Sequence, residues 1–166
     1  MSIKENIKLH EILIVGGGAG GLELATKLGD SLGRKKKATI TLVDSKKTHV
    51  WKPLLHEIAA GSLNPEKDEL DYLAQAHWHN FKFRLGRMIE LDRSKKEIIL
   101  ESFNDGEGAE IIPKRKFHYD TLIISVGSTI NDFGIKGAAK NSIALDTQGQ
   151  AERFHQKLHN AILKAQ

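Results

Sequence analysis

The chain lacks cysteine altogether, and only three of its 166 residues are proline. Without cysteine, disulfide bonds cannot form within this sequence, and nothing in it indicates a secreted protein. No apolar run approaches the roughly 20 residues that a helix needs to cross a bilayer, so no membrane-spanning helix is predicted. Residues 1–6 contain no apolar signal region, and a cytoplasmic location is therefore expected.

The composition, with 40% hydrophobic and 28% charged residues, is typical of a globular domain with one core. The net charge of +4 comes largely from two clusters, Arg34–Lys37 and Lys114–Lys116. Neither cluster is interleaved with aromatic residues or placed on a recognition helix, so nucleic acid is not expected as a partner. We interpret both clusters as solvated loops, with an anionic membrane surface as the alternative ranked ahead of nucleic acid.

A glycine-rich turn stands between the first predicted strand and the first predicted helix. Ile12–Val15 reads as a short buried strand, Gly16-x-Gly18-x-x-Gly21 follows it, and Leu22–Leu28 has a helical pattern. In such a motif the first glycine permits a tight turn, the second lets the backbone approach a pyrophosphate, and the third lets helix and strand pack closely. The phosphate charge then meets the helix N-terminus. The unit therefore predicts a dinucleotide site.

An acidic residue completes this unit. The second predicted strand, Ala38–Val43, is closed by Asp44, which lies roughly 20 positions beyond Gly21, where an acid accepts hydrogen bonds from the adenosine ribose. Because the Asp44 carboxylate would repel a 2′-phosphate, FAD or NAD is predicted rather than NADP. The glycines alone do not choose between FAD and NAD.

The middle of the chain changes its periodicity twice. Ser45–Leu63 is predicted to be a long irregular connection, with Pro53 preventing a regular helix through its centre. Leu70–Trp78 is predicted to be a helix whose apolar stripe contains Leu70, Leu73, Ala74 and His77. Alternating runs then predict an antiparallel meander with strands in Phe81–Leu85, Arg87–Leu91, Glu97–Leu100 and Glu110–Phe117.

Two further elements complete the expected fold. Thr121–Val126 is a fully apolar strand that ends at Gly127 and Ser128, and Gln150–Lys164 is an amphipathic helix. Together the elements predict an α/β fold of the Rossmann-like FAD/NAD(P)-binding type. Its central parallel sheet would carry helices and an antiparallel β-meander insertion.

Three segments of the sequence carry a family resemblance. Gly16–Thr26, Trp51–Glu57 and Tyr119–Ser128 together resemble bacterial type II NADH dehydrogenases. The middle segment, Trp-Lys-Pro-Leu-Leu-His-Glu, is far more specific than the glycines. Members of that family are single-subunit flavoproteins that pass electrons from NADH to a membrane quinone without pumping protons. The resemblance implies that FAD, rather than NAD, occupies this first nucleotide site and that NADH binds a later glycine motif.

The resemblance also implies roles for individual residues. Asp44 would accept hydrogen bonds from the adenosine ribose, and the backbone of Met88 would meet the adenine. Gly127 and Ser128 lie at the carboxyl end of a central strand, where open α/β sheets bind ligands. No catalytic side chain and no metal ligand is predicted. The residues expected to hold the pyrophosphate are Gly16, Gly18, Ala19, Gly20 and Gly21, and those expected beside the flavin ring are Lys52, Pro53, Leu54 and Leu55.

Members of the family are much longer than this chain. We therefore expect 1–149 to be the N-terminal FAD-binding part of such an enzyme and 150–166 to be a helix linking it to an NADH-binding domain. These residues alone are expected to be inactive and to hold FAD weakly, because a later Gly-Asp segment contributes to the pocket in the family. The parent enzyme is expected on the cytoplasmic face of the inner membrane, attached through its C-terminal part, and a homodimer is compatible with the sequence.

Two alternatives stay open. The first is another FAD-dependent pyridine nucleotide oxidoreductase of the same fold, such as a disulfide reductase or a sulfide:quinone reductase. Those enzymes need redox cysteines, and the disulfide reductases carry theirs in this N-terminal half, so a chain without cysteine argues against them. The second alternative is a non-catalytic dinucleotide-binding module, which reduction of a bound flavin by NADH would exclude.

Overall fold

A computed structural model of the protein describes residues 8–64, 67 and 69–165. The N-terminal segment, to which the expectation of no signal peptide applies, lies outside the described residues. The described chain forms two compact units. The first contains 8–47 and 71–126, and the second contains 48–64, 67, 69–70 and 127–165.

The described strands and helices follow one another in chain order. The strands are β1 His10–Val15, β2 Ala38–Asp44, β3 Thr48–His49, β4 Leu70–Asp71, β5 Lys82–Leu85, β6 Met88–Asp92, β7 Glu97–Leu100, β8 Phe103–Asn104, β9 Glu110–Ile112, β10 Arg115–His118 and β11 Thr121–Ile124. The α-helices are α1 Ala19–Leu28, α2 Leu55–Ala60, α3 Tyr72–Trp78, α4 Ala138–Asn141 and α5 Gln148–Lys164, with a wide helical turn at Gly29–Gly33 and a 3₁₀ turn at Lys52–Leu54. None of the described helices is both long and apolar enough to span a bilayer.

The first unit is built on a parallel sheet with the strand order β11-β1-β2-β5. The register places Val15 beside Val43 on one side and beside Ile124 on the other. Since β2 and β5 lie on one side of β1 and β11 lies on the other, the strand order reverses at β1. Open sheets of this kind bind ligands at such a switch point, outside the carboxyl ends of the strands.

Each face of this sheet is covered by a different layer. Ile14, Ile40 and Leu42 face the cluster that contains residues of α1 and α3. Leu13 and Val43 face the opposite cluster, which contains residues of β7 and β10. Apolar residues on both faces of β1 and β2 produce the continuous hydrophobic runs of a buried parallel sheet. The predicted fold class is confirmed, including the antiparallel meander, whose strand order is β10-β7-β6.

The meander prediction was wrong for one of its four strands and only partly correct for another. Lys82–Leu85 belongs to the parallel sheet, where Phe83 pairs with Leu42. A half-buried edge strand alternates in the same way as a meander strand, so periodicity does not separate the two cases. The run predicted over Glu110–Phe117 is divided into β9, which pairs with β8, and β10, which pairs with β7. Pro113 stands between β9 and β10, and its missing N–H cannot join a ladder.

Helix α3 also differs from its predicted stripe. It begins at Tyr72 because the Asp71 side chain accepts a hydrogen bond from the backbone N–H of Ala74 at 2.8 Å and so caps the helix. The buried residues of α3 are Tyr72 and Ala76, whereas Leu73 is 63% exposed. The stripe of Leu70, Leu73, Ala74 and His77 is therefore incorrect. Tyr72 and Ala76 are spaced i and i+4, so they define a different face of the helix from the predicted one.

In the second unit, the connection predicted to be irregular contains a 3₁₀ turn followed by α2. Pro53 lies in the first turn, where its missing N–H has no intrahelical partner to lose, so it starts this helical segment instead of preventing it. Residues of α2, including Ile58 and Ala59, pack against Ala151 of α5, which is fully buried.

Helix α5 confirms the predicted C-terminal helix but begins at Gln148 instead of Gln150. The reason is a capping box. The Thr147 hydroxyl accepts a hydrogen bond from the Gln150 N–H at 3.3 Å, and the Gln150 side chain accepts one from the Thr147 N–H at 3.0 Å.

One basic cluster is not uniformly solvated. Lys114 and Lys116 are exposed, as expected, but Arg115 lies in β10 and turns inward because successive strand residues face opposite sides. Its guanidinium donates to the carbonyl oxygen of Leu85 at 2.5 Å and lies 5.8 Å from the centre of the Phe117 ring. Arg115 therefore links the meander to the edge of the parallel sheet.

Candidate functional site

The glycine turn lies over the carboxyl ends of three strands of the first unit. The N–H of Gly16 donates to the Val43 carbonyl at 2.8 Å, which ties the turn to the end of β2. The N–H of Ser125 donates to the Val15 carbonyl at 2.7 Å, which ties the end of β11 to the end of β1. The turn thus occupies the switch point of the sheet, where ligands of open α/β sheets bind.

The first and third glycines of the motif are required by close backbone approach. Gly16 has a φ of +102°, and a Cβ there would lie 2.4 Å from the Ser125 carbonyl oxygen. A Cβ at Gly21 would lie 1.8 Å from the carbonyl oxygen of Gly16. Both positions exclude any side chain, because the obstructing atoms belong to the backbone and cannot move aside. These contacts match the predicted roles in turning and in helix–strand packing.

Gly18 has a different environment. A Cβ at this position would meet no described atom within 4 Å, and Gly18 is the N-cap residue of α1. No side chain among the described residues caps α1, and no acidic residue stands in its first turn. The first N–H groups of a helix lack intrahelical partners and carry the positive end of its dipole. Open space beside these donors fits a phosphate group.

Asp44 lies beside this turn with acceptor capacity left. One carboxylate oxygen accepts a hydrogen bond from the Gly17 N–H at 2.7 Å, and the other accepts one from the Lys46 N–H at 2.8 Å. A carboxylate has about four acceptor positions, so two such bonds leave room for ribose hydroxyls. The half-buried Asp44 and the open helix end therefore form one site that fits the ribose and pyrophosphate of a dinucleotide.

Tyr72 contributes to this site and was missed in the sequence. Its hydroxyl donates to the Gly17 carbonyl oxygen at 2.6 Å, and its ring stacks on Phe83 with 5.0 Å between centroids. Burial, and to a smaller degree the charge of Asp44, raise the pKa of Tyr72, so the phenol stays a neutral donor. The sequence signal was weak, because Asp71 predicts where a helix starts but not which carbonyl the next side chain meets.

Met88 lies in the first unit at the start of β6 and is half-buried. Its position is linked to Asp44 through Gly86, whose N–H donates to the Asp44 carbonyl at 2.8 Å. This hydrogen bond places the segment before Met88 beside Asp44 of the candidate site. The contact of its backbone with adenine stays a prediction.

The second unit brings together three of the predicted residues. Lys52 donates to the Ser128 carbonyl at 2.9 Å and forms an ion pair with Asp146 at 2.5 Å. A Cβ at Gly127 would lie 3.9 Å from the Lys52 ammonium nitrogen. Asp146, the counter-ion of Lys52, was not predicted, because it is distant in sequence and belongs to no motif.

The remaining predicted residues of this segment have different exposures. Pro53 is exposed and Leu54 is half-buried, whereas Leu55 is only 4% exposed and packs within the α2–α5 contact. The Leu55 side chain therefore contributes to the core of the second unit. A role for this segment beside a flavin ring stays a prediction.

A comparison with protein-family models matches residues 10–163 to the family described as "Pyridine nucleotide-disulphide oxidoreductase". The chain belongs to the pyridine nucleotide-disulphide oxidoreductase family. This match spans both the glycine turn with Asp44 and the Lys52 segment. The flavin- and NAD-binding fold class predicted from the sequence is that of this family of oxidoreductases.

Individual relatives agree with the resemblance seen in the sequence. The chain is 47% identical over 156 residues to a type II NADH:quinone oxidoreductase of Haemophilus influenzae. The aligned region covers 94% of this chain and 35% of that relative. It is 31% identical over 147 residues to a mitochondrial sulfide:quinone oxidoreductase of Dictyostelium discoideum, covering 84% of this chain and 28% of that protein. The resemblance to type II NADH dehydrogenases is confirmed. This pyridine nucleotide-disulphide oxidoreductase chain spans about one third of the length of the curated relatives it matches.

Solved structures share the fold of this family member. The NDH2 structure from Plasmodium falciparum in complex with NADH has a TM-score of 0.73 at 22% identity, over 95% of this chain and 30% of that one. The sulfide:quinone oxidoreductase of Aquifex aeolicus has a TM-score of 0.72 at 21% identity, over 93% of this chain and 32% of that one.

Proposed function

We propose that this chain is the FAD-binding portion of a flavoprotein that transfers electrons from NADH to a membrane quinone. The observation that carries the proposal is the open N-terminus of α1 at Gly18, beside the carboxylate of Asp44, at the switch point of a parallel sheet. This arrangement fits a dinucleotide. The identity to the Haemophilus influenzae type II NADH:quinone oxidoreductase supports NADH and quinone as the substrates, and the resemblance to that family of flavoproteins supports FAD.

Each group of residues has a separate task in this proposal. The N–H groups at the start of α1, from Gly18 to Gly21, would hold the pyrophosphate, and Asp44 would accept from the ribose. Gly16, also predicted to donate to the pyrophosphate, has its N–H bonded to the Val43 carbonyl and would instead form the turn. The Met88 backbone would meet the adenine. Lys52, Pro53 and Leu54, with Gly127 and Ser128, would form the flavin-ring side, and Leu55 would support that segment from the core. Bound FAD would supply the redox chemistry by accepting a hydride from NADH and passing electrons to quinone.

The proposal extends to the architecture of the parent enzyme. Residues 1–149 form its N-terminal FAD-binding part, and 150–166 lead toward a domain that binds NADH. The parent associates peripherally with the cytoplasmic face of the inner membrane through its C-terminal part and is compatible with a homodimer. On this proposal, the 166 residues alone do not oxidise NADH.

A second candidate has a specific observation in its favour. The 31% identity to a sulfide:quinone oxidoreductase indicates that another FAD-dependent quinone reductase is compatible with this chain. The identity to that relative is lower than the 47% identity to the type II NADH:quinone oxidoreductase, over a similar share of this chain. The NADH dehydrogenase therefore remains the preferred proposal.

The test uses the gene that encodes this chain. We expect its reading frame to continue beyond residue 166 into a second strand, glycine motif and helix. The purified product should carry FAD that NADH bleaches anaerobically and that a water-soluble quinone reoxidises. A frame that ends at residue 166, or a flavin that sulfide bleaches and NADH does not, would contradict the proposal.

A further inference from the structure

Tyr72 holds one peptide group of the glycine turn, the group that joins Gly17 to Gly18. We propose that Tyr72 is a positioning residue that directs the Gly18 N–H toward the phosphates of the bound dinucleotide, an inference that rests on the proposed function. The Tyr72 hydroxyl donates to the carbonyl oxygen of Gly17 at 2.6 Å. The described residues contain no cis peptide bond, and a trans peptide points its C=O and its N–H to opposite sides. The Gly18 N–H therefore points away from Tyr72.

The space beside the Gly18 Cα is open. A Cβ on Gly18 would have no described atom within 4 Å, although neighbouring glycines of the motif are tightly enclosed. Gly18 is also the N-cap of α1, so its N–H adds to the unpaired donors of the first helical turn. The group that such a cluster of donors recognises is a phosphate or diphosphate.

The opposite side is closed and rigid. Tyr72 is 2% exposed and is held by Phe83 and by its place at the start of α3. A Cβ on Gly17 would lie 2.5 Å from the Tyr72 hydroxyl oxygen, so hydroxyl and turn are in direct contact. The preceding peptide group is fixed separately, because the Gly17 N–H donates to Asp44. Asp44 and Tyr72 thus hold the two peptide groups that flank Gly17.

Removing the hydroxyl would release one of these two groups. The peptide between Gly17 and Gly18 joins two glycines, whose backbones adopt many conformations. Without Tyr72 as a donor, the Gly17 carbonyl is free to turn outward, where its partial negative charge would oppose a phosphate. A residue that only fills the core would instead affect every ligand equally, or none. A loss of affinity that is confined to ligands with phosphates would therefore show that Tyr72 positions the turn and does not only fill the core.

The experiment compares three ligands by isothermal titration calorimetry: adenosine, ADP and FAD. Tyr72→Phe keeps the ring and its stacking on Phe83, and it should weaken ADP and FAD binding by about three- to ten-fold, the loss of one hydrogen bond. Adenosine affinity should not change. The matched control is Tyr119→Phe, which alters another buried tyrosine of the same unit, in the cluster on the opposite face of the sheet. It should leave all three affinities unchanged.

Each other outcome has a defined meaning. Equal weakening of adenosine and ADP, or no weakening of ADP, would overturn the role of Tyr72. Failure of the full-length gene product to bind ADP or FAD at all would contradict the proposed function itself. If Tyr72→Phe does not fold, the NMR amide resonance of Gly18 in the unmodified chain tests whether the Gly18 N–H meets the phosphates. It should shift on addition of ADP and not of adenosine, and an unmoved Gly18 resonance with ADP bound would overturn the inference.

Discussion

Asp44 combines a structural contact with a proposed ligand contact at a single carboxylate. Its oxygens accept hydrogen bonds from the backbone of Gly17 and Lys46, so it shapes the glycine turn before any ligand arrives. The acceptor positions that remain on this carboxylate would accept hydrogen bonds from the hydroxyl groups of a ribose. A substitution at Asp44 should therefore affect both folding stability and ligand affinity.

In the full-length parent, Asp44→Ala is expected to weaken FAD binding by about ten- to hundred-fold, since a charge-assisted hydrogen bond contributes roughly 1.5–3 kcal/mol. Quenching of FAD fluorescence on titration measures this loss. The same variant leaves the Gly17 N–H without its acceptor, so urea unfolding should show a stability loss of about 1–3 kcal/mol.

Asp120→Ala is the matched control for Asp44→Ala. The Asp120 carboxylate accepts from the Glu11 N–H at 2.8 Å, a comparable backbone contact, but it lies near the amino ends of the strands. It should therefore lower stability without lowering FAD affinity in the folded protein. An equal loss of FAD affinity in both variants would mean that Asp44 acts through stability alone.

At the scale of elements, the turn from β1 to α1 separates two kinds of glycine. Gly21→Ala should prevent native folding or lower the melting temperature strongly, because its Cβ would meet the Gly16 carbonyl oxygen at 1.8 Å. Gly18→Ala should fold with a nearly unchanged melting temperature but lose FAD affinity, since its Cβ enters the open space beside the helix N-terminus. Thermal unfolding and FAD titration of the two variants test this division. Normal FAD binding by Gly18→Ala would place the phosphates elsewhere.

The turn between β6 and β7 predicts a pH dependence. The Asp92 carboxylate accepts from the Ser94 hydroxyl at 2.7 Å and from the Lys95 N–H at 3.0 Å, and these bonds lower the pKa of Asp92 from its usual value near 3.8 to about 2. A lowered carboxyl pKa contributes stability that is complete above the usual value and disappears as the pH falls through the lowered value. The difference in melting temperature between wild type and Asp92→Ala should therefore be constant above about pH 5 and vanish near about pH 2.

Ser94→Ala provides the control for this pH dependence. It removes the largest contribution to the lowered pKa of Asp92, so the remaining stability difference should disappear at a higher pH than in the wild type. An unchanged profile in Ser94→Ala would show that the Ser94 hydroxyl does not stabilise the carboxylate in solution.

At the scale of the whole molecule, the share of the relatives that this chain covers sets an expectation for cofactor retention. The 166 residues match about one third of the Haemophilus influenzae enzyme. A polypeptide of these residues alone should fold, because its first unit has a core on both faces of the sheet. It should hold FAD weakly and purify nearly colourless. Stoichiometric flavin absorbance after extensive dialysis would contradict this prediction.

Local patterns in the sequence predicted the parts of the protein that depend on neighbouring residues. The glycine spacing, the buried strands and the acid after β2 all follow from short-range rules of backbone geometry and period, and the fold class followed from their order. The motif around Lys52 was specific enough to indicate the family. The roles of Gly16 and Gly21 were also deducible, because a tight turn and a close helix impose steric limits that only glycine meets, whereas the role of Gly18 beside a phosphate stays a prediction.

Only the tertiary structure decided which distant residues meet. Phe83 lies beside Leu42, Tyr72 reaches the Gly17 carbonyl, and Asp146 becomes the counter-ion of Lys52. Periodicity reports which face of an element is apolar, but it does not report which neighbour covers that face. Long-range pairing is selected by the packing of all layers together, since each side chain must fill space and satisfy its polar atoms at once. The sequence by itself therefore determined the glycine motif of the dinucleotide site. Only the fold determined that Tyr72 is the side chain that contacts and fixes this motif.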